Sequence, residues 1–219
     1  MIVLDIETSG DLFPEKNGIW QIGAIDTDNP QNVFFEECRI DDEDNVEEIS
    51  LKICGKTEEE FRDPSKQSQK EMLQKFFRWS ESIRVRNLVC QSTPFDYSFL
   101  WARAAKYGIP FTLPTKTIDL YALAVLKYYQ ITGKINIEKD RIMMGLPIIS
   151  NFCGLEMNRL EISREKGMIR EGKPHDALDD AKLEAECFSR IMYGKNLIKE
   201  FADFPIPDAL KQGDNKNEN

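Results

Sequence analysis

The sequence predicts an α/β fold, a mixed five-stranded β-sheet with α-helices on both faces. Two observations carry this. Three strand-like apolar runs open the chain in close succession, and from residue 68 onward short apolar runs alternate with segments of helical periodicity. A meander followed by strand–helix alternation buries one sheet between two helical layers.

The first strand is read over residues 2–5 within MIVLDIE, and IWQIGAIDT (19–27) and NVFFEECRI (32–40) supply the next two, with Asp28-Asn29-Pro30 as the turn. After the acidic run DDEDNVEE (41–48), TEEEF (57–61) starts a short helix. SQKEMLQKFFRWSESI (68–83) sets Met72, Leu73, Phe76, Phe77 and Ile83 at helical spacing. NLVCQ (87–91) is a short buried strand, and FDYSFLWARAAKYG (95–108) is a helix closed by Gly108 with Pro110 beyond. TKTIDLYALAVLKYY (115–129) runs from a brief strand into another helix. Residues 130–145 read as a polar, basic connection and LPIISNFCGLEM (146–157) as a short helix ending near Gly154. Residues 158–174, rich in Glu, Arg and Lys and holding Gly167 and Gly172, are expected to form a mobile surface segment. Order resumes at His175, the last long helix occupies 176–192, and the terminal DNKNEN has a disordered composition. One domain over 1–193 and a C-terminal extension over 194–219 follow.

Composition sets the class. The 219 residues are 41% hydrophobic, with 13 Phe and 3 Trp for a core, and no apolar run approaches the roughly 20 residues that span a bilayer. A soluble, cytoplasmic protein without a membrane partner is expected, since no basic, apolar leader pattern opens the sequence. The five Cys (38, 54, 90, 153 and 187) never fall in a CxxC spacing, which argues for reduced thiols rather than a disulfide framework or zinc cluster. The net charge of −9 lacks the basic footprint common in nucleic-acid binders. A polyanionic substrate would need divalent cations and a local strip of Lys and Arg to offset the repulsion.

Four acids stand where they could meet. Asp5 and Glu7 are two apart on a strand, so they share a face at the end of an apolar run. Asp96 starts a helix after a buried strand, where an ordinary N-cap acid is the competing reading. Asp180 shares a helix face with Ala177, Ala181 and Glu184, and the two alanines permit close approach to the sheet. Asp176 and Asp179 lie around the helix from that stripe and read as solvated helix-start acids. At about 4 Å in an effective dielectric near 20, two like charges repel by roughly 4 kcal/mol, so a converging cluster needs cations. Hard oxygen ligands favour Mg²⁺ or Mn²⁺, and two such ions about 3.5 to 4 Å apart clamp a phosphodiester for in-line attack. The sole histidine, His175, could then accept the proton of the attacking water.

DIET (5–8), FD (95–96) after a buried strand and HDALDDA (175–181) together resemble the three motifs of DnaQ-like 3′–5′ exonucleases, and the His-x-Ala-x-x-Asp spacing resembles the DEDDh subgroup. The resemblance spans about residues 1–193. It implies an RNase H-like fold and two-metal hydrolysis from the 3′ end of single-stranded or frayed DNA or RNA, releasing nucleoside 5′-monophosphates. It also implies that Asp5, Glu7, Asp96 and Asp180 hold two Mg²⁺ or Mn²⁺ ions and that His175 is the general base. Thr8 would contact the terminal nucleotide, and Phe95 would either stack beside it or serve as a core aromatic. Asp119 matches a recurrent acid of the family and reads as a helix cap. Ser92 stands where relatives commonly carry Asn, and Cys54-Gly55 where they often show His-Gly, changes that bear on how the strand is held. DNA versus RNA, a polymerase or repair partner, and the oligomeric state stay open. The competing class is a catalytically silent RNase H-like module that binds a protein partner through its acidic loops.

Overall fold

The computed structural model describes residues 1–11, 13–156, 159–163 and 167–211. Its centre is the expected mixed sheet of five strands, β1 (Ile2–Thr8), β2 (Ile19–Asp26), β3 (Asn29–Glu37), β4 (Leu88–Cys90) and β5 (Ile118–Asp119), in the order β3-β2-β1-β4-β5. The first three strands form an antiparallel meander, while β4 and β5 run parallel to β1. Strand β3 begins three residues earlier than its apolar run suggests, because Asn29 already pairs with Asp26 across the turn.

Alternation along β1 sorts its side chains between two cores. Ile2, Leu4 and Ile6 pack with Phe76 of α3 (Gln69–Glu81) and Phe99 of α4 (Thr93–Tyr107). Val3 faces the other way, among Leu120 and Ala124 of α5 (Leu120–Thr132), Ile149 of α6 (Leu146–Phe152) and Ala181 and Phe188 of α7 (Ala177–Tyr193). The same period of two puts Asp5 and Glu7 on the α7 side, just beyond Val3. Helix starts follow local chemistry. Ser68 and Glu71 form a capping box on α3, and Asp119 caps α5 by accepting from Ala122 N–H at 2.8 Å.

Several segments differ from expectation. A helix α1 (Glu48–Cys54) precedes the short α2 (Glu58–Phe61), where only the second is signalled by its Thr57–Glu60 capping box. Within the acidic run 41–48, Asp42, Glu43 and Glu48 are exposed while Asp44 is buried, pairs with Arg103 at 2.7 Å and accepts from Gln69 at 2.6 Å. The polar connection after α5 contains a small hairpin, β6 (Ile137–Glu138) and β7 (Arg141–Ile142). Within 158–174, β8 (Glu161–Ser163) pairs with β9 (Gly167–Arg170), so the described part of this expected surface segment contains a second hairpin, with β9 exposed. Residues after α7 join the same core: Ile198 and Leu210 are buried in it, Glu186 of α7 accepts from the N–H groups of Leu197 and Ile198 at 2.8 Å, and Arg190 reaches the carbonyls of Phe201 and Phe204. The terminal DNKNEN lies outside the described residues.

The approach of α7 to the sheet depends on Gly23 of β2, which sits opposite Asp5 in the β1–β2 register. A Cβ there would meet the Ala177 carbonyl and the Leu178 nitrogen at 2.3 Å. Gln21, two residues away, fixes the same helix start by accepting from Ala177 N–H at 2.7 Å. Gly23→Ala is therefore expected to push the start of α7 off the sheet and destabilise the fold by about 1–3 kcal/mol, the usual cost of overpacking. Urea denaturation checks this, and an unchanged midpoint would contradict it.

Candidate active site

The C-terminal end of β1, the start of α4 and the start of α7 converge on one cleft of about 340 Å³, whose wall includes Asp5, Glu7, Thr8, Phe95, Asp96 and His175. Asp180 stands beside it: single ligand atoms of Glu7, His175 and Asp180 all lie within 4.8 Å of one another. The four acids and the histidine singled out by the sequence are thus brought together.

Burial dominates the electrostatics. Glu7, Asp96 and Asp180 are each no more than 7% exposed, and Asp5 keeps only partial access through the cleft. Desolvation, reinforced by Asp180, Glu184, Glu7 and Asp96, holds the Asp5 carboxyl well above the usual range. Desolvation first and the Asp180 charge second push Glu7 up to about 8. Asp96 is likewise pushed by burial to about 8, and Asp180 to about 6. One oxygen of Asp5 is buried without a hydrogen-bond partner among the described residues. Unneutralised carboxylates at this density are what a divalent cation would stabilise.

His175 is neutral. Burial, and then the adjacent Arg159 charge, lower it to about 4. Its ring bonds assign the tautomer: Nε2–H donates to the Leu160 carbonyl at 2.9 Å, and Nδ1 accepts from the Arg159 guanidinium at 2.9 Å. Its backbone N–H donates to the Ile53 carbonyl at 3.1 Å, which joins the entry to α7 to α1.

The other expected residues divide. Thr8 is buried and donates to the Gly10 carbonyl at 2.8 Å, so its hydroxyl shapes the turn after β1 while the residue lines the cleft. Phe95 packs on Phe99 with ring centroids 4.8 Å apart and also lines the cleft, which fits both of its readings. Asp179 is exposed as expected, but Asp176 is the N-cap of α7, accepting from Leu178 and Asp179 N–H at 3.1 Å. Cys54 extends its thiol toward Glu7 at 3.5 Å, and Ser92 borders the cleft.

Two further residues join the site: Glu184, which the sequence placed on the face of Asp180 without assigning it to the acid cluster, and Arg159, which it did not single out. Glu184, buried one turn after Asp180, accepts from Gln91 N–H at 3.0 Å and is held well above its usual range by desolvation and then by Asp96. Its i, i+4 relation to Asp180 on the inward face was the available signal. Arg159 lies 2.6 Å from Asp180 as well as against His175. Nothing distinguishes it in sequence from the charged residues around it.

A family model described as RNase_T, Exonuclease, matches residues 2–188. The chain belongs to this exonuclease family. No curated protein matches it significantly. Among solved structures, the cell-death related nuclease CRN-4 superposes with a TM-score of 0.63 at 15% identity, covering 87% of this chain and 62% of that one. The nuclease domain of 3′hExo, described as a DEDDh family member bound to rAMP, gives 0.61 at 14% identity over 94% and 95% of the two chains. E. coli exonuclease I in complex with a dT13 oligonucleotide gives 0.60 at 17% identity, over 86% of this chain and 40% of its own. These likenesses establish the RNase H-like fold.

The buried acids have a consequence for stability. A carboxyl whose value is raised on folding contributes stability that is complete below its unfolded value near 4 and is lost as pH rises through its folded value. His175, lowered to about 4, acts in the opposite sense, its contribution being present above about 6.5 and lost as pH falls toward 4. Between about pH 6 and 8.5, five raised carboxyls outweigh the lowered imidazole and the Met1 amino group, which burial also lowers. In chelator, the thermal midpoint is expected to fall as pH rises from about 6 to about 8.5. A calorimetric series with a flat or rising midpoint would refute the burial of these charges.

Proposed function

We propose that this chain is a divalent-metal-dependent 3′–5′ exonuclease of the DEDDh type, acting on the 3′ end of single-stranded or frayed DNA or RNA and releasing nucleoside 5′-monophosphates. The observation that carries the reading is the set of buried carboxylates around a cleft that also holds a neutral histidine. Membership of the exonuclease family supports the reaction class.

Asp5, Glu7, Asp96 and Asp180 would hold two Mg²⁺ or Mn²⁺ ions. The donor set fits: it is all hard oxygen, and Asp5 presents a buried oxygen without a partner. Bound there, the ions would neutralise the carboxylates and polarise the scissile phosphate. The chain's own residues do the rest. His175, being neutral, takes a proton from the attacking water as its oxygen bonds to phosphorus and the P–O3′ bond breaks, with the electron pair leaving on the 3′ oxygen of the penultimate nucleotide. Thr8 and Phe95 border the space where the terminal nucleotide would lie. The β1, α4 and α7 backbones keep the four carboxylates in register, so little reorganisation is needed at the moment of reaction.

Wild-type protein with Mg²⁺ or Mn²⁺ is expected to shorten matched 5′-labelled DNA or RNA strands stepwise from the 3′ end. His175→Ala should lower turnover by roughly 10²- to 10⁴-fold, the range for loss of a general base, with a smaller change in oligonucleotide binding. Asp5→Asn should abolish turnover and reduce the rise in melting temperature that saturating Mn²⁺ gives the wild type. A wild type that is not stabilised by either ion and leaves a free 3′ end intact would overturn the reading.

A further inference from the structure

Arg159 supplies a positive charge to a site otherwise built from acids. One terminal nitrogen of its guanidinium donates to Nδ1 of His175 at 2.9 Å and makes an ion pair with Oδ2 of Asp180 at 2.6 Å that lacks hydrogen-bond alignment, and the side chain is largely buried. This posture conflicts with the role proposed for His175. With Nε2–H given to the Leu160 carbonyl and Nδ1 accepting from Arg159, neither ring nitrogen is free to receive a proton.

We propose that Arg159 is a positioning residue that stands in for a cation: its guanidinium holds the Asp180 carboxylate and the His175 ring together, and a divalent ion entering the carboxylate cluster displaces it and frees Nδ1 of His175. The inference rests on the metal-dependent reading above.

Three features make the guanidinium displaceable. Its Nε is buried without a hydrogen-bond partner among the described residues, so the group is held by fewer bonds than it can make. A second hollow of about 230 Å³ adjoins the site, and Arg159 lines both. Glu156 and Asp179 are on its wall, offering carboxylates to a withdrawn guanidinium. The backbone, by contrast, is fixed. Leu160 N–H donates to the Lys173 carbonyl at 2.8 Å, and a Cβ on Gly172 would strike the Arg159 carbonyl carbon at 2.4 Å, so the motion belongs to the side chain. A divalent ion among the same carboxylates would repel the guanidinium, and the outer hollow relieves that repulsion.

The test measures metal affinity, not only turnover. Mg²⁺ and Mn²⁺ are titrated calorimetrically into the full chain, wild type, Arg159→Gln and Arg159→Lys. Arg159→Gln is expected to bind either ion about tenfold or more tightly, the scale on which a neighbouring cation alters a carboxylate's affinity for a proton. It should also melt lower than wild type in chelator. Arg159→Lys, which keeps the charge, should stay near wild type in both readouts. If both variants bind metal with wild-type affinity while wild type binds metal and digests a 3′ end, the inference fails and the exonuclease reading stands. If wild type neither binds metal nor digests, both fail. The wild type carries an independent test should Arg159→Gln not fold, because the chain has one histidine and its ring signals are unambiguous. The nitrogen–nitrogen coupling across the Arg159–His175 hydrogen bond is expected in chelator and should vanish at saturating Mg²⁺. Its persistence in the metal-bound protein would overturn the proposal.

Discussion

The burial of like charges at one end of β1 is the constraint around which the rest of the molecule is arranged. Asp5, Glu7, Asp96, Asp180 and Glu184 press on one another electrostatically within a site screened from water. At a dielectric near 20, each close pair costs roughly 4 kcal/mol when both members are ionised, and the cluster relaxes by retaining protons, by recruiting a cation or by moving apart. Moving apart is prevented by the architecture. Val3 and Ile6, on opposite faces of the strand that bears Asp5 and Glu7, are each clamped in a separate core, and the close approach at Gly23 keeps α7 against β2. What is left is proton retention, toward which burial pushes Asp5 and Glu7, or a cation, and the Arg159 guanidinium beside Asp180 supplies one positive charge.

That arrangement explains which parts of the fold were legible in the sequence. β1 was legible because its alternation and its sudden change from apolar to acidic residues are properties of seven consecutive positions. The last helix was legible from Ala177, Asp180 and Ala181, since small residues at helical spacing mark a face that approaches another backbone. Asp119 could be assigned as a cap because capping is local. Helix α1 and the two small hairpins were not legible: the hairpin strands are only two to four residues long, and helix α1 lacks a side-chain cap and is tied by a contact distant in sequence, His175 N–H donating to the Ile53 carbonyl. The burial of one acid in the run 41–48 was not legible for the same reason. Asp44 has the composition of a solvated residue and becomes buried only because Arg103, far along the chain, arrives to pair with it.

The site divides along the same line. Asp5, Glu7, Asp96 and Asp180, all read from motifs, are borne by β1, α4 and α7, whose positions regular hydrogen bonding and core packing fix. Glu184 belongs to this rigid set, and the tie from Glu186 and Arg190 to the residues after α7 extends that rigidity along the helix. Arg159, which no sequence feature marked, comes instead from the short stretch leading into the β8–β9 hairpin, where one charged residue among many acquires its place only through folding.

This division has a functional logic. If these carboxylates hold a cation, as proposed, they gain from rigidity, because repulsion they cannot escape by moving is repulsion that a cation relieves on binding. A proton acceptor has the opposite need. Imidazole beside bare carboxylates would be drawn toward protonation, and a base that is already protonated can accept nothing. Holding His175 neutral by burial, with its Nε2–H anchored on the Leu160 carbonyl and its Nδ1 covered by a guanidinium, keeps the ring unprotonated while the carboxylates stand without a metal. The cover and the carboxylates then answer to one variable, the positive charge present in the cluster. On the proposed reading, an ion that filled the site would both neutralise Asp180 and remove the reason for Arg159 to remain, so the base would become available only once the charge that orients the phosphate was in place.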